Sequence, residues 1–198
     1  MKVYAHPEDH QPGSVQALPG DLAIWFFIAA ELLVFAVLFI CFAEVRHEQA
    51  LSFRQAEDQL ARLPALAETL ILICSSYTVV GAVETLRQGH ARSASRGFLL
   101  SLSLGAAFCV LKILELHHDA ELGMSLSGSS FDMFYLSLIV FHFMHVLMGM
   151  SMLSVVAWRS AHGTYADGAI HGAESVAAFW HMVDLLWVFL FVLVYVLS

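Results

Sequence analysis

The sequence has 198 residues, of which 59% are hydrophobic and only 13% are charged. This balance excludes an ordinary water-soluble domain, which would lack the polar residues needed to cover its surface. The net charge of −8, from 17 acidic against 9 basic residues, also argues against a nucleic-acid-binding protein. The composition therefore predicts an integral membrane protein whose apolar surface faces lipid.

Five apolar stretches predict the fold: residues 22–43, 66–87, 95–117, 131–158 and 174–197. Each reaches the roughly 20 residues that a helix needs to cross a hydrocarbon core of about 30 Å. The prediction is an all-α, polytopic membrane helix bundle with five transmembrane helices, forming a single domain over residues 1–198. The polar segment before residue 22 lacks the apolar core of a cleaved secretory signal, so the first helix is expected to be a retained anchor.

The connections between the stretches predict the orientation of the chain. The longest connection, residues 44–65, is rich in charges and is expected to lie in solvent, with room for a short interfacial helix. Basic residues near helix ends are retained on the cytoplasmic side of a membrane. With five spans, the side that has more basic residues receives Lys2, Arg87, Arg92, Arg96 and Arg159, and the other receives Arg46, Arg54 and Arg62. We therefore expect a cytoplasmic N-terminus and a C-terminus on the periplasmic or outer side.

Ionisable side chains inside the apolar stretches are the most informative positions, because they are costly at bilayer depth and usually face a bundle interior or a cavity. Five of them fall near the middle of their stretches: Glu31, His142, His145, His181 and Asp184. On the fourth and fifth stretches they occur three residues apart, which places both members on one face of a helix. Trp180 and Trp187 share the face of Asp184. These seven residues predict a shared polar layer.

Three further polar residues lie near the ends of the spans. Lys112 and Glu115 are three residues apart near the outer end of the third stretch. This spacing predicts an ion pair, with the long lysine side chain able to reach the interface. Glu174 opens the fifth stretch. We interpret these three residues as secondary polar positions.

Several roles are open for the polar layer. Hydrogen bonding between helices is the structural interpretation. Haem or metal ligation would need imidazoles that converge from facing helices, and His142, His145 and His181 are the candidates. A proton relay would use Glu31 and Asp184 and would require a continuous wet path. Binding of a lipid or a small apolar ligand is the fourth interpretation.

Three separated segments together resemble subunit III of the haem-copper oxidase superfamily. Residues 22–39, LAIWFFIAAELLVFAVLF, are similar to a helix of that family with a buried glutamate, here Glu31. Residues 134–150, FYLSLIVFHFMHVLMGM, are similar to a helix with two histidines three residues apart before a glycine, here His142 and His145. Residues 174–195, ESVAAFWHMVDLLWVFLFVLVY, resemble the family's WHFVD-x-x-W terminal helix through Trp180, His181, Asp184 and Trp187.

The remaining spans extend the resemblance. Residues 68–82, ETLILICSSYTVVGA, look like the second helix of the family, although Glu68 stands where an asparagine is common. Glu115 matches an acid near the end of the third helix. The connection 44–65 is most similar to that of five-helix members of the NorE type, which is associated with nitric oxide reductase. A quinol oxidase subunit III and a short bacterial cytochrome c oxidase subunit III are the alternatives.

The resemblance implies an accessory subunit in a bacterial inner membrane, with no catalytic residues and no haem, copper or other metal of its own. Its implied partners are the catalytic subunit I of a haem-copper oxidase or nitric oxide reductase, and membrane lipid. Phospholipid is expected in a cleft between two groups of helices. On this interpretation the seven residues of the polar layer hold the helices together and border the cleft.

Two functions of other classes stay open. A haem-binding membrane cytochrome would use the histidines as ligands. A proton-coupled transporter would use Glu31 and Asp184. Such transporters usually contain broken helices or internal repeats, and neither feature is visible in the sequence.

Overall fold

Each apolar stretch forms one long helix. The computed structural model describes residues 22–51, 53, 62–163, 165 and 170–197. Its helices are α1 Leu22–Glu48, α2 Arg62–Arg87, α3 Ala91–Glu121, α4 Ser130–Ala161 and α5 His171–Phe191, and the last continues as a π-helical turn, Val192–Val196. All five helices are long and apolar enough to cross a membrane, and no strand occurs among the described residues. The all-α prediction with five membrane helices is confirmed.

Polar contacts show which helix ends meet. Arg87, the last residue of α2, pairs with Glu174 near the start of α5, with 2.8 Å between Nη2 and Oε1. At the other end of the bundle, Arg46 of α1 donates to the carbonyl oxygen of Leu193 near the end of the chain, over 3.3 Å. The positive charge of Arg46 is favoured there, because the carbonyl groups at the C-terminal end of a helix carry partial negative charge. We call the two ends of the bundle the Arg87 end and the Arg46 end.

Helices α2 to α5 pack against one another, and α1 lies at the edge of this group against α4 and α5. The buried apolar residues of α1 are Ile28, Phe35 and Phe42. Their seven-residue spacing forms a narrow seam rather than a broad buried face. Large side chains elsewhere on α1 are exposed, as shown by Phe26 at 71% and Ile40 at 67%. Most of the surface of α1 therefore faces lipid or a partner.

Small residues set the distance between neighbouring helices. A Cβ atom on Gly97 of α3 would lie 2.8 Å from the Cβ of Ala82 in α2, and one on Gly149 of α4 would lie 2.8 Å from Cε3 of Trp180 in α5. The hydroxyl of Ser95 also donates across the α3–α4 interface to a backbone carbonyl of α4, over 2.9 Å. Close approach and interhelical hydrogen bonds are what hold helices together in lipid, where the hydrophobic drive between helices is weak.

Part of the connection after α1 folds back onto the bundle. Phe53 is fully buried, and its ring centroid lies 5.6 Å from that of Phe42 and 5.3 Å from that of Phe131. The rest of the predicted interfacial helix, like the N-terminal segment before residue 22, lies outside the described residues. Among the residues described, this aromatic group fixes the α1 side of the Arg46 end to the start of α4.

Candidate functional site

The first polar contact in the bundle joins α1 to α4. Nε2 of His145 lies 3.0 Å from Oε2 of Glu31, and Nδ1 of His145 lies 2.7 Å from the carbonyl oxygen of Phe141. A carbonyl oxygen can only accept, so Nδ1 must carry a proton. The Nε2–Glu31 hydrogen bond then holds one further proton, on the imidazole or on the carboxyl group. The pair is neutral overall in either case, which limits the cost of burying it.

The position of Glu31 follows from the seam of α1. Glu31 lies three residues after Ile28 and four before Phe35, so it projects from the same stripe that packs into the bundle. Its side chain is 19% exposed and that of His145 is 8% exposed. The ring of Phe35 lies 5.3 Å from the imidazole of His145. Aromatic packing and one hydrogen bond thus seat the edge helix at this depth.

The environment of His142 differs from that of His145. It is 1% exposed, and neither ring nitrogen has a hydrogen-bond partner among the described residues. Its ring centroid lies 5.2 Å from that of Trp187 and 6.2 Å from that of Phe108. The described residues contain no group of three or more His, Cys, Asp and Glu side chains that could hold a metal ion. The histidines therefore do not converge as a ligand set.

The polar residues of α5 face hydroxyl groups of α2. Nδ1 of His181 lies 2.5 Å from the hydroxyl oxygen of Ser76, and Nε1 of Trp187 donates to the hydroxyl oxygen of Thr69 over 3.0 Å. Asp184 is 6% exposed and lies close to the Ser76 hydroxyl, although neither of its carboxyl oxygens reaches good hydrogen-bond geometry within the described part of the chain. The Thr69 and Ser76 hydroxyls are spaced seven residues apart, which puts both on the face of α2 that meets α5.

The structure thus divides the predicted polar layer into separate contacts. Glu31 and His145 are hydrogen-bonded to each other, and His142 packs on Trp187. His181 pairs with α2, and the fully buried ring of Trp180 fills the space beside Gly105 and Gly149. Thr69 is a partner that the sequence did not single out, because hydroxyl residues are common in membrane helices and carry no charge signal.

A second polar cluster lies towards the Arg46 end. Nζ of Lys112 is 2.7 Å from Oε2 of Glu68 in α2 and forms a second ion pair with Glu115. The Lys112 side chain is 1% exposed and that of Glu68 is fully buried. The nitrogen also lies 4.5 Å from the centroid of the Trp187 ring, as in a cation–π contact. The predicted Lys112–Glu115 pair is present, but the lysine lies inside the bundle instead of reaching the interface.

Two tyrosines continue this cluster towards the end of the bundle. Tyr195 donates to Oε1 of Glu115 over 2.8 Å, and Tyr135 donates to Oδ2 of Asp119 over 3.0 Å. The two hydroxyl oxygens are 3.2 Å apart. Both tyrosines and Asp119 are buried. We call the whole group the Lys112 cluster; it contains Glu68, Lys112, Glu115, Asp119, Tyr135 and Tyr195.

Sequence reasoning missed four members of the Lys112 cluster. The available signal was the spacing of Lys112, Glu115 and Asp119, which puts all three on one face of α3. Asp119 looked like a loop residue because the apolar stretch ends at residue 117, whereas α3 continues to Glu121. The tyrosines resembled residues of an interfacial aromatic belt. Their burial depends on helix pairing, which the pattern of a single helix does not reveal.

A cleft of about 380 Å³ opens towards the Arg87 end between α1, α2 and α5. Trp25 lines it from α1, and Val80 and Ala177 supply apolar wall from α2 and α5. The Arg87–Glu174 ion pair and His181 also line it. The cleft therefore combines an apolar wall with a small number of polar groups, the usual character of a site for an amphipathic ligand.

Comparison with known proteins identifies the family. Residues 9–198 match the family model for cytochrome c oxidase subunit III. The chain is 32% identical to cytochrome c oxidase subunit 3 of Corynebacterium diphtheriae over 171 residues, which cover 85% of this chain and 83% of that protein. It is 29% identical to cytochrome c oxidase subunit 3 of Alkalihalophilus pseudofirmus over 199 residues, covering 98% and 93%. It is 27% identical to quinol oxidase subunit 3 of Bacillus subtilis over 201 residues, covering 100% and 98%. The chain belongs to the cytochrome c oxidase subunit III family.

Proposed function

We propose that this protein is a subunit III-type accessory component of a respiratory haem-copper oxidase, with a catalytic subunit I as its partner. The observation that carries the proposal is the match over residues 9–198, which includes all five helices. The geometry is consistent with it, because the buried polar side chains mainly contact other helices of the same chain. Electron transfer and gas reduction would occur on the partner, and this chain would bring no haem or copper of its own.

In this role the predicted site residues act by positioning helices. Glu31 and His145 attach α1, while His142, Trp180, His181, Asp184 and Trp187 occupy the interfaces of α5 with α2 and α4. Lys112 and Glu115 join α2, α3 and α5 at one end, and Glu174 joins α5 to α2 at the other. A single membrane domain with a cytoplasmic N-terminus in a bacterial inner membrane completes the proposal.

The cleft at the Arg87 end is the proposed phospholipid site. An acyl chain would lie along the wall formed by Val80, Val83 and Ala177, and Trp25 would border the headgroup region. Arg87 supplies a cation at the mouth, 48% exposed although paired with Glu174. A guanidinium at an exposed helix end suits a phosphate group, because its N–H groups can donate to two oxygens at once.

The gas and the electron donor define two candidates. The relatives described above are subunits of cytochrome c and quinol oxidases, which favours an oxygen-reducing partner. The second candidate is a NorE-type subunit of a nitric oxide reductase system, and its support is the sequence of the connection 44–65. The two candidates share the accessory role and differ only in the catalytic partner.

A pulldown of the tagged chain from native membranes in mild detergent tests the proposal. We expect a haem-copper catalytic subunit to co-purify, identified by mass spectrometry and by its haem spectrum. Turnover of oxygen or nitric oxide by the eluate then names the gas. A chain recovered alone and free of haem would contradict the accessory role, and a Soret band on the isolated chain would support a haem-binding cytochrome instead.

A further inference from the structure

The Lys112 cluster contains more short oxygen–oxygen contacts than hydroxyl protons. The hydroxyl of Tyr135 lies 3.0 Å from Asp119, 3.2 Å from Tyr195 and 3.4 Å from Glu115, and the hydroxyl of Tyr195 lies 2.8 Å from Glu115. Each hydroxyl has one proton to donate. With both carboxyl groups ionised, two protons would serve four contacts. A third proton on one of the carboxyl groups would reduce this shortage, because the three shorter contacts could then each hold one proton.

The charges of the Lys112 cluster also favour one additional proton. Glu68, Glu115 and Asp119 contribute three carboxyl groups against the single ammonium group of Lys112. If all were ionised, two negative charges would stay uncompensated among buried side chains, which is strongly unfavourable. One additional proton removes half of this excess.

Within the described part of the chain, the observed contacts of the neighbouring charged and titratable groups lead elsewhere than to the carboxyl groups of the cluster. His118 is exposed beside Asp119 on α3, and His142 of α4 is buried near Lys112. Arg46 of α1 donates to the carbonyl oxygens of Leu193 and Leu197 at the same end of the bundle. No other lysine or arginine forms an ion pair with the cluster among the described residues.

We propose that Asp119, Tyr135, Tyr195 and Glu115 form a proton site that holds one excess proton and can move it between its two carboxyl groups. With the proton on Asp119, the hydrogen bond between Asp119 and Tyr135 runs opposite to the direction that an ionised carboxylate would give. The O–H of Asp119 then donates to Tyr135, Tyr135 donates to Tyr195, and Tyr195 donates to Glu115. Transfer breaks each of these O–H bonds as the next one forms. Asp119 then becomes a carboxylate and Glu115 a carboxylic acid, while each tyrosine keeps one proton.

The carboxyl groups of Asp119 and Glu115 have different surroundings. The proton therefore favours one end of the series of hydrogen bonds between them. Asp119 lies in the last turns of α3, next to the exposed His118, and is itself buried. Glu115 is paired with Lys112, whose positive charge favours the ionised form of its neighbour. Asp119 has no cation partner among the described residues, so we assign the resting proton to Asp119 in preference to Glu115. A shift of Lys112 towards Glu68 would favour transfer to Glu115.

Infrared difference spectroscopy of the full chain in membranes, recorded between two pH values, tests this site. We expect a carboxylic acid C=O band that shifts in D₂O and is lost in Asp119→Asn. Glu31→Gln, which alters a carboxyl group outside the cluster, is the matched control and should leave the band in place. A band that neither Asp119→Asn nor Glu115→Gln removes, or no such band at any pH, would overturn the proposal.

A second variant covers the case in which Asp119→Asn does not fold. Tyr135→Phe removes one oxygen atom and preserves the buried ring, whose stacked contact with Phe131 has a centroid distance of 5.6 Å. The Asp119 carboxyl group would then lose its hydrogen-bond partner. We expect the frequency of the same band to rise in this variant, and an unchanged frequency would refute the relay.

Discussion

The imidazole of His145 is held through both of its ring nitrogens. One nitrogen donates to the backbone of its own helix and the other meets Glu31 of the edge helix. This arrangement makes Glu31 the natural residue at which to test what the polar pair contributes. A buried imidazole nitrogen without a hydrogen-bond partner destabilises the folded state, because it has lost its contact with water and gained none in return.

We predict that Glu31→Ala lowers the free energy of unfolding by about 1–3 kcal/mol, because Nε2 of His145 loses its partner. Glu31→Gln should cost less, since the amide can donate or accept at the same position. Denaturant titration in detergent micelles measures both. Equal losses for the two variants would show that the hydrogen bond contributes little, and loss of turnover in a fully assembled complex would contradict a positioning role.

The ion pairs of Lys112 offer a second test at the level of single residues. Lys112→Met leaves the carboxyl groups of Glu68 and Glu115 buried without their cation. Breaking a buried ion pair by removing one partner costs about 3–5 kcal/mol, and we expect a loss of this size in the same titration. Glu68→Gln added to Lys112→Met should recover part of it. A double variant that is less stable than Lys112→Met alone would contradict the pairing.

Helices α4 and α5 approach each other closely at a glycine. Gly149→Ala would place a Cβ atom 2.8 Å from Trp180, in a buried interface. Overpacking of this kind typically costs about 1–3 kcal/mol, and we predict a loss in this range by thermal unfolding followed through tryptophan fluorescence. Gly81→Ala is the matched control, because nothing lies within 4 Å of a Cβ atom there. A similar loss in both variants would indicate a general effect of replacing glycine in a helix.

The helices could be predicted from the sequence, whereas most of their pairing could not. Long apolar stretches determine helices in lipid because every backbone group must be satisfied within its own segment. The buried position of Glu68 beside Lys112 depends on α2 and α3 packing closely, as these helices also do where Gly97 meets Ala82. The sequence of one helix does not show which residue of another helix Glu68 or Gly97 will meet. The Glu31 and His145 positions were recognisable through the family resemblance, but their direct contact required the structure.

At the scale of the molecule, the described residues form a four-helix group, α2 to α5, and an α1 that lies at its edge. The four-helix group contains the Lys112 cluster and the close contacts at Gly97 and Gly149. Helix α1 adds its seam, the Glu31–His145 pair and the Arg46 contacts at the chain end. Membrane helices can insert independently before they associate, so the two parts are candidates for independent insertion.

We predict that residues 1–53 and 62–198, co-expressed as two tagged fragments, assemble into a complex that survives purification in mild detergent. Glu31→Ala in the first fragment should reduce the recovered complex, because it removes the hydrogen bond between the parts. The matched control is Phe26→Ala, which alters an α1 side chain that is 71% exposed. Failure of the wild-type fragments to co-purify would show that the covalent connection is needed to seat α1.

The neutrality of the Glu31–His145 pair has a consequence for a membrane that carries an electrical potential. Moving one elementary charge across 100 mV is worth about 2.3 kcal/mol. A proton hop over the 3.0 Å between the two side chains covers at most about one tenth of a hydrocarbon core of about 30 Å, so the field changes its energy by only about 0.2 kcal/mol. The Glu31–His145 contact between α1 and α4 is therefore nearly insensitive to voltage, and it holds whether the membrane is energised or not.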